Sequence, residues 1–242
     1  MKITFVGTSH GVPAADRFCS CIMLESGGAL YFIDAGAPVI DSIHRYGKNI
    51  NDLRAVFTTH VHSDHTVGLL HLTGLMHWYY KESSADIYVA EEEHIETIRR
   101  WSRTADGGEL DGERIRFHVP VEGQVYEDEN IKVEYIKTKH LKNSYAILVT
   151  EGSKRVLFSG DLSWKLLEND VPTQIREELD AFVCEMAHFG VDLIAPYLAE
   201  CRARRVIFTH VFPVEKYADI EALRGKYPFE ILTPADGDGY EI

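Results

Sequence analysis

One segment of the chain, residues 55–65, reads Ala55-Val56-Phe57-Thr58-Thr59-His60-Val61-His62-Ser63-Asp64-His65. Its first half is apolar and β-branched, which is typical of a buried strand. Its second half brings three imidazoles and a carboxylate together. Such groups are costly to bury without a partner, and a metal ion binds this combination of donors. The segment therefore predicts a strand that ends in a metal site.

The spacing within this segment also predicts its local geometry. His60 and His62 stand two residues apart, so their side chains point to the same side of an extended segment. Asp64 and His65 open a predicted helix, and Gly68 allows a close turn there. The ligands are therefore expected at a junction between a strand and a helix.

Three later residues of metal-ligand type also follow apolar runs. His140 comes after residues 131–138, Asp161 after residues 156–160, and His210 after residues 206–209. Open sheets form their sites where strands end. Any one of these residues alone would be an ordinary polar residue at a strand end, but together they are expected to complete the site begun at residues 60–65.

The remaining sequence alternates between strand-like and helical patterns. Apolar runs bounded by turn residues predict strands at Ile3–Val6, Cys21–Leu24, Leu30–Ile33, Ala55–Thr59, Asp86–Ala90, Ile131–Ile136, Tyr145–Val149, Val156–Ser159, Ala181–Cys184, Val206–Phe208 and Phe229–Leu232. Helices are predicted at Glu91–Trp101, Asp192–Ala203 and Glu215–Arg224, and a surface loop at Ser102–Gly112. This order predicts an α/β (α+β) protein, one domain over residues 1–242, with helices outside two central sheets.

Composition limits the classes of partner. The chain has 242 residues, 45% hydrophobic and 26% charged, as in globular proteins. Its formal net charge of −13 argues mildly against a partner gripped along a long phosphate backbone. The four cysteines are too few for a disulfide scaffold, so we expect reduced thiols, two of them in core elements. Without a signal-peptide pattern or a membrane-length apolar run, we expect a cytoplasmic protein with no membrane partner.

In their order along the chain, residues 60–65, His140, Asp161 and His210 resemble the five ligand motifs of the metallo-β-lactamase superfamily. The opening Gly7-Thr8-Ser9-His10-Gly11-Val12-Pro13 and the later Ile33-Asp34-Ala35-Gly36 are similar to segments of its ribonuclease Z and cyclic phosphodiesterase branch. Residues 238–242 are similar to the C-terminus of the bacterial phosphodiesterase of phosphonate breakdown. The resemblance spans essentially the whole chain and implies a four-layer αββα sandwich with a dinuclear site at the edge of its sheets.

The resemblance also implies a role for each ligand. One metal would be held by His60, His62 and His140, the other by Asp64, His65 and His210, with Asp161 bridging them. Two divalent ions are implied; nitrogen and carboxylate donors suit Zn²⁺, and Mn²⁺ or iron use the same ligands. A water bridging two such ions is acidified toward a pKa of about 7 and becomes the attacking hydroxide, with Asp64 as ligand and proton acceptor.

His188 is the second catalytic candidate. It follows the predicted strand Ala181–Cys184, where this branch carries a histidine that contacts the phosphate and protonates the leaving oxygen. A group that titrates near neutral pH suits that task. A surface or helix-capping histidine is the alternative reading of the same residue.

The resemblance points to a metal-dependent hydrolase, most of all a phosphodiesterase acting on a small or cyclic phosphodiester. Hydrolysis of a thioester, lactone or lactam is the first alternative. A second is an endonuclease like those that process the 3′ end of tRNA, or a non-catalytic metal-binding relative similar to pyrroloquinoline quinone biosynthesis protein B. Dimers are common among such relatives, which leaves a homodimer open.

Departures from ribonuclease Z favour the small substrate. The spacer after His140 is shorter and lacks glycine, and Ser102–Gly112 is too short and too poor in basic residues to be a tRNA-binding arm. A small anionic substrate is therefore expected, and long nucleic acid is not. Among the other histidines, His10 is the best candidate for a substrate contact, whereas the aromatic segment 71–80 is expected to serve packing.

Overall fold

The computed structural model describes the backbone of residues 1–242 and all side chains except that of Glu168. Within this backbone there are fourteen strands, arranged in two sheets of seven. In chain order they are β1 (Lys2–Gly7), β2 (Cys21–Ser26), β3 (Ala29–Ile33), β4 (Leu53–Phe57), β5 (Ala85–Tyr88), β6 (Ile115–His118), β7 (Gly123–Glu127), β8 (Lys132–Lys137), β9 (Tyr145–Glu151), β10 (Lys154–Phe158), β11 (Leu179–Met186), β12 (Ala203–Val211), β13 (Glu230–Leu232) and β14 (Gly239–Glu241).

The two sheets follow the same plan. The first has the order β14-β1-β2-β3-β4-β5-β6 and the second β13-β12-β11-β10-β9-β8-β7. Pairing is antiparallel from β14 to β3 and parallel from β3 to β6. In the second sheet it is parallel from β13 to β10 and antiparallel from β10 to β7. The carboxyl ends of the parallel strands are therefore gathered at an edge of each sheet, which is where open sheets form sites.

The sheets pack face to face over a shared apolar layer. Tyr31 and Phe57 enter this layer from the first sheet, and Tyr135 and Phe158 from the second. Neighbouring residues on the same strands point outward, as Phe32 does beneath the outer helices. Burial of both faces explains why these strands read as continuous apolar runs. The shared inner layer favours the predicted single domain.

The described backbone contains six α-helices, and five of them cover the outer faces of the sheets. The first sheet is covered by α1, α3 and α4, and the second by α5 and α6. This arrangement confirms the predicted α/β (α+β) architecture of four αββα layers. The helices are α1 (Val39–Arg45), α2 (Ser63–Thr66), α3 (Gly68–Trp78), α4 (Glu92–Trp101), α5 (Val191–Leu198) and α6 (Lys216–Glu221).

Some boundaries differ from the sequence prediction. Helix α5 ends at Leu198 rather than Ala203, because Ala203 already begins β12 and pairs with Leu179 of β11. Helix α6 is likewise shorter than predicted. The predicted loop Ser102–Gly112 begins with a π-helical turn over Ser102–Asp106 that continues α4, and its first residue is buried.

The cysteines are free thiols, as predicted. Three of them, Cys21, Cys184 and Cys201, are buried, rather than the two expected. Among the described residues, no helix combines the length and the apolar character that crossing a membrane requires.

Gly68 lies where α3 meets the loop that follows β3. Its N–H donates to the carbonyl oxygen of Ala35 at 2.7 Å. A Cβ at this position would stand 2.3 Å from the carbonyl oxygen of Ala37 and 2.6 Å from that of Ala35. Only glycine allows this approach, which takes place at the first residue of α3. The short helix α2, which carries Asp64 and His65, is thereby held against the first sheet.

We expect Gly68→Ala to lower the free energy of unfolding by about 1–3 kcal/mol, because the new Cβ overlaps two backbone carbonyl oxygens. Gly112→Ala is the matched control, since a Cβ there meets nothing within 4 Å. Its effect should stay below about 1 kcal/mol. Urea denaturation followed by circular dichroism measures both, and equal losses for the two variants would contradict the close contact at Gly68.

Candidate metal centre

The predicted ligands meet where the two sheets present the ends of their strands. Residues 60–65 follow β4, His140 follows β8 and Asp161 follows β10. His210 belongs to the end of β12 and has a left-handed backbone with φ 54°. Its N–H donates to the carbonyl oxygen of Thr8, which holds this strained residue against the loop after β1.

The first ligand group consists of His60, His62, His140 and Asp161. His62 Nδ1 lies 3.0 Å from His60 Nε2 and 3.2 Å from His140 Nε2. An Asp161 oxygen lies 3.8 Å from each of those two Nε2 atoms. Two ligand atoms on a tetrahedral zinc ion stand roughly 3.3 Å apart, so these separations suit a common ion.

The second ligand group consists of Asp64, His65 and His210. His65 Nε2 lies 3.5 Å from Asp64 Oδ2, and His210 Nε2 lies 3.9 Å from the same oxygen. Asp161 is adjacent to this group as well, 3.4 Å from both Nε2 atoms. The side chain of Asp161 therefore touches both groups, at the position where a bridging ligand is expected.

Asp34 fixes the orientation of His65. The Nδ1 atom of His65 lies 2.7 Å from Asp34 Oδ2, where it donates its proton. Asp34 is itself held by the N–H of Thr59 at 2.7 Å and by the Thr59 hydroxyl. With Nδ1 occupied, Nε2 presents its lone pair, and a partner of this kind is what metal-ligating histidines usually have.

The residues fit divalent cations on an independent observation. His65 Nε2 is buried and makes no hydrogen bond, although it faces the carboxylates of Asp64 and Asp161. A buried ring nitrogen without a hydrogen bond is unfavourable unless its lone pair binds a cation. The Nδ1 atom of His62 lies 3.0 Å from His60 Nε2 and 3.2 Å from His140 Nε2. The lone pairs of such close nitrogens repel each other unless a cation or a proton lies between them.

The charges around Asp161 also favour a cation. Burial raises the pKa of Asp161, but the charges of His210 and His65 outweigh it and hold the pKa well below its usual range. For His65, burial lowers the pKa, and the carboxylates of Asp161 and Asp34 raise it well above the ordinary value. The pKa of His60 is held well below its ordinary value by burial and by the charge of His65. A metal ion would replace these protons as the positive partner of the carboxylates.

His188 lies beside the cluster and is paired with a buried carboxylate. Its Nδ1 is 2.9 Å from Glu185 Oε1 and 3.8 Å from an Asp161 oxygen. Burial lowers the pKa of His188, but its hydrogen bond with Glu185 and the negative charge there outweigh this and raise it. Glu185 is fixed in turn by the N–H groups of Leu162, Ala187 and His188.

His10 lies at the edge of the cluster, as expected of a substrate-contact candidate. Its ring centroid is 6.3 Å from that of His210 and 4.0 Å from that of Phe212. The aromatic segment 71–80 is divided: Met76 is buried, whereas Trp78 and Tyr79 are exposed and line a separate groove. The packing expectation therefore holds for only part of that segment.

Sequence reasoning missed Asp34 and Glu185 as functional residues. Asp34 lies in the Ile33-Asp34-Ala35-Gly36 segment, directly after an apolar run, and the resemblance of that segment to a family motif does not by itself indicate its contact with His65. Glu185 follows the apolar Ala181–Cys184 and is 2% exposed, so its carboxylate is buried at the end of β11. A carboxylate directly after an apolar run of the sequence is the signal that could have found both.

Comparison with known proteins decides the family. A family model described as "Anti-Pycsar protein Apyc1" matches residues 1–183. The chain belongs to this family. The matched part carries every predicted ligand except His210, which lies beyond it together with His188.

Relatives and solved structures agree with the fold. The chain is 29% identical over 157 residues to "Ribonuclease Z" of Shouchella clausii, covering 64% of this chain and 49% of the relative. It thus spans about half the length of that curated relative. The metallo-β-lactamase fold protein YhfI from Bacillus subtilis is similar at TM-score 0.78 and 22% identity, covering 100% of this chain and 99% of YhfI. The short form of human tRNase Z is similar at TM-score 0.77 and 20% identity, with the same coverage of 100% and 99%.

These findings confirm the predicted membership of the metallo-β-lactamase superfamily in its ribonuclease Z and phosphodiesterase-like branch. The prediction of a metal-dependent hydrolase agrees with the ribonuclease Z relatives. A cluster of histidine and aspartate side chains suited to divalent metal is present in the structure.

We expect Asp34→Asn to weaken metal binding by about 10–100-fold, because His65 loses the carboxylate that orients its ring and raises its basicity. The matched control is Asp41→Asn, an exposed carboxylate 3.7 Å from His71. Metal content after dialysis against graded chelator measures both, with about two ions per chain expected for the unaltered protein. Retention of metal by Asp34→Asn at the same chelator concentration as the control would contradict the role of Asp34.

Proposed function

We propose that this protein is a dinuclear metal-dependent phosphodiesterase that acts on a small or cyclic phosphodiester. The observation that carries the proposal is the joint position of Asp161 and His188. Asp161 contacts both ligand groups, and His188 lies 3.8 Å from the same carboxylate with Glu185 behind it. A two-ion site for a phosphate is thus next to a candidate proton donor for its leaving oxygen.

The ligand roles follow from the two groups. His60, His62 and His140 would hold one ion, Asp64, His65 and His210 the other, and Asp161 would contact both. Nitrogen and carboxylate donors suit Zn²⁺, and Mn²⁺ or iron accept the same set. When bound, a pair of divalent ions polarises a phosphoryl group and makes water a nucleophile at neutral pH.

Proton transfer and the positioning of the proton donor are carried out by side chains of the protein. Asp64 is a ligand whose carboxylate is also positioned to accept a proton from the attacking water. His188 donates Nδ1–H to Glu185, so Nε2 is the atom that gives its proton to the leaving oxygen. Glu185 is a positioning residue, since its hydrogen bond fixes the ring and favours the charged imidazolium.

The distribution of charge supports a small substrate. The chain carries a formal net charge of −13, so a long polyanion would meet a largely acidic exterior. The cluster itself would become locally positive once it holds divalent ions, and it could bind one phosphate there. A substrate with a single phosphodiester suits this distribution.

Processing of an RNA 3′ end is the second candidate. The relatives named ribonuclease Z, and the fold shared with human tRNase Z, weigh against the expectation that long nucleic acid is no substrate. The alignment covers about half of those ribonuclease Z chains, so their substrate is only a candidate for this protein. A direct comparison of kcat/KM for a cyclic nucleotide and for a tRNA precursor separates the two candidates.

We expect Asp64→Ala to abolish hydrolysis of activated phosphodiesters while the circular dichroism spectrum stays unchanged, because the loss removes one ligand and the proton acceptor. Asp41→Ala is the control, as its carboxylate is exposed and distant in sequence from the ligands. The assay uses the Zn²⁺, Mn²⁺ and iron forms on phosphodiester, thioester, lactone and lactam substrates. Robust thioester, lactone or lactam turnover without phosphodiester turnover in all three forms would overturn the proposal in favour of a carbon electrophile.

We expect His188→Ala to lower kcat most for substrates with poor leaving groups, because only these need a proton on the departing oxygen. A general acid contributes about 10²–10⁴-fold, so the loss should approach that range for an alkoxide leaving group. For 4-nitrophenolate it should be far smaller. His71→Ala, an exposed histidine, is the control. An equal loss for good and poor leaving groups would show that His188 does not act as an acid.

A further inference from the structure

A cavity lies beside the candidate metal centre. It has a volume of about 650 Å³ and lies between the loop after β1 and the loop after β12. We call it the His10–Phe212 cavity, after two aromatic rings of its lining whose centroids lie 4.0 Å apart. Its wall begins directly after the ligand His210, with Val211 and Phe212.

The cavity adjoins the candidate ligand cluster on the side of His210 and Asp64. The His10 ring lies 6.3 Å from the His210 ring, and Gly11 brings the same loop against Asp64, whose Oδ2 would be 3.2 Å from a Cβ there. A phosphodiester at the cluster would therefore have one of its two ester groups beside this cavity.

The walls suit an uncharged planar group. Phe212, Val12 and Val214 are 49%, 69% and 68% exposed and line the cavity together, so they present an apolar surface there. The His10 and Phe212 rings are 4.0 Å apart at their centroids and tilted by 47°, so they present an aromatic corner. Aromatic side chains of this kind bind nucleobases by stacking.

The rim of the cavity is acidic and offers no free cation. Asp16 and Glu215 are exposed carboxylates on its lining. Among the described residues that line it, Arg17 is the one guanidinium or ammonium group. Arg17 Nη1 already donates to Thr8 Oγ1 at 2.6 Å and to the Pro234 carbonyl oxygen at 2.9 Å. Its guanidinium also lies over the Tyr217 ring, at 5.4 Å.

We infer that the His10–Phe212 cavity is a subsite for the nucleobase, or a similar planar uncharged group, of a substrate that carries one phosphate. Phe212 supplies the stacking surface, and the carboxylates of Asp16 and Glu215 disfavour a second phosphate. The inference rests on the proposed phosphodiesterase function and adds to it a specificity rule. A nucleic acid strand, which carries further phosphates, is disfavoured by these carboxylates at the rim.

The first test compares two substrates with the same leaving group, methyl 4-nitrophenyl phosphate and thymidine 5′-(4-nitrophenyl phosphate). Only the second has a base to stack. Phe212→Ala should raise KM for the thymidine ester at least about tenfold more than for the methyl ester, given the contribution of base stacking. Phe212→Tyr should restore the preference. Tyr79→Ala, an exposed aromatic residue of the separate α3 groove, is the matched control and should leave the preference unchanged.

The second test adds a phosphate to the sugar 3′ oxygen of the thymidine ester. The unaltered protein should process this compound at least about tenfold less efficiently in kcat/KM. The variant Asp16→Lys with Glu215→Lys should narrow the difference, because the repelling charges are replaced by attracting ones. Equal use of both compounds by the unaltered protein would overturn the role of the acidic rim.

The two levels of the proposal fail in different ways. If the unaltered, metal-loaded protein hydrolyses neither of the two esters nor a cyclic nucleotide, the phosphodiesterase function is wrong. If it hydrolyses both esters, and Phe212→Ala changes the two KM values by the same factor, the function stands and the subsite is wrong.

Discussion

One buried carboxylate organises the site. Oxygen atoms of Asp161 lie within 3.4–3.8 Å of ring nitrogens from five histidines, namely His60, His65, His140, His188 and His210. Such a group is costly to remove from water unless opposite charge surrounds it. The surrounding imidazoles come from both sheets, so the carboxylate can be satisfied only when the two sheets are packed together. The packing of the two sheets and the formation of the candidate metal site therefore depend on each other in this protein.

The architecture and the grouping of the candidate ligands could be predicted, because both leave strong signals in the sequence. Strands buried on two faces read as apolar runs, and eleven such runs correspond to β1 to β5 and β8 to β13. Ligands placed directly after these runs converge because the carboxyl ends of parallel strands share an edge. The segment from His60 to His65 adds a combination of side chains that has few explanations apart from metal. The long-range contact of His210 with the cluster followed from the same rule.

Other elements and functional residues of the structure leave weaker signals in the sequence. The unpredicted strands β6, β7 and β14 lie at sheet edges, where half-exposed residues replace the continuous apolar pattern. Helix α3 is apolar on most of its surface and so lacks a clear alternation of faces. Asp34 and Glu185 act through other residues, one through His65 and the other through His188, and such a role depends on contacts that spacing does not reveal. The exposed Phe212 gains meaning only from the cavity beside it.

The tie between Thr8 and His210 has a consequence for how the protein is made. The backbone N–H of His210 reaches the carbonyl oxygen of Thr8 at 3.0 Å, so the last ligand closes on the first loop of the chain. During synthesis the other predicted ligands leave the ribosome before β12 does. Until then one ion would lack an imidazole, and both sheets would lack strands. Stable binding of metal at this cluster would therefore be a late event in biogenesis, and a nascent chain halted upstream of β12 would bind metal only weakly.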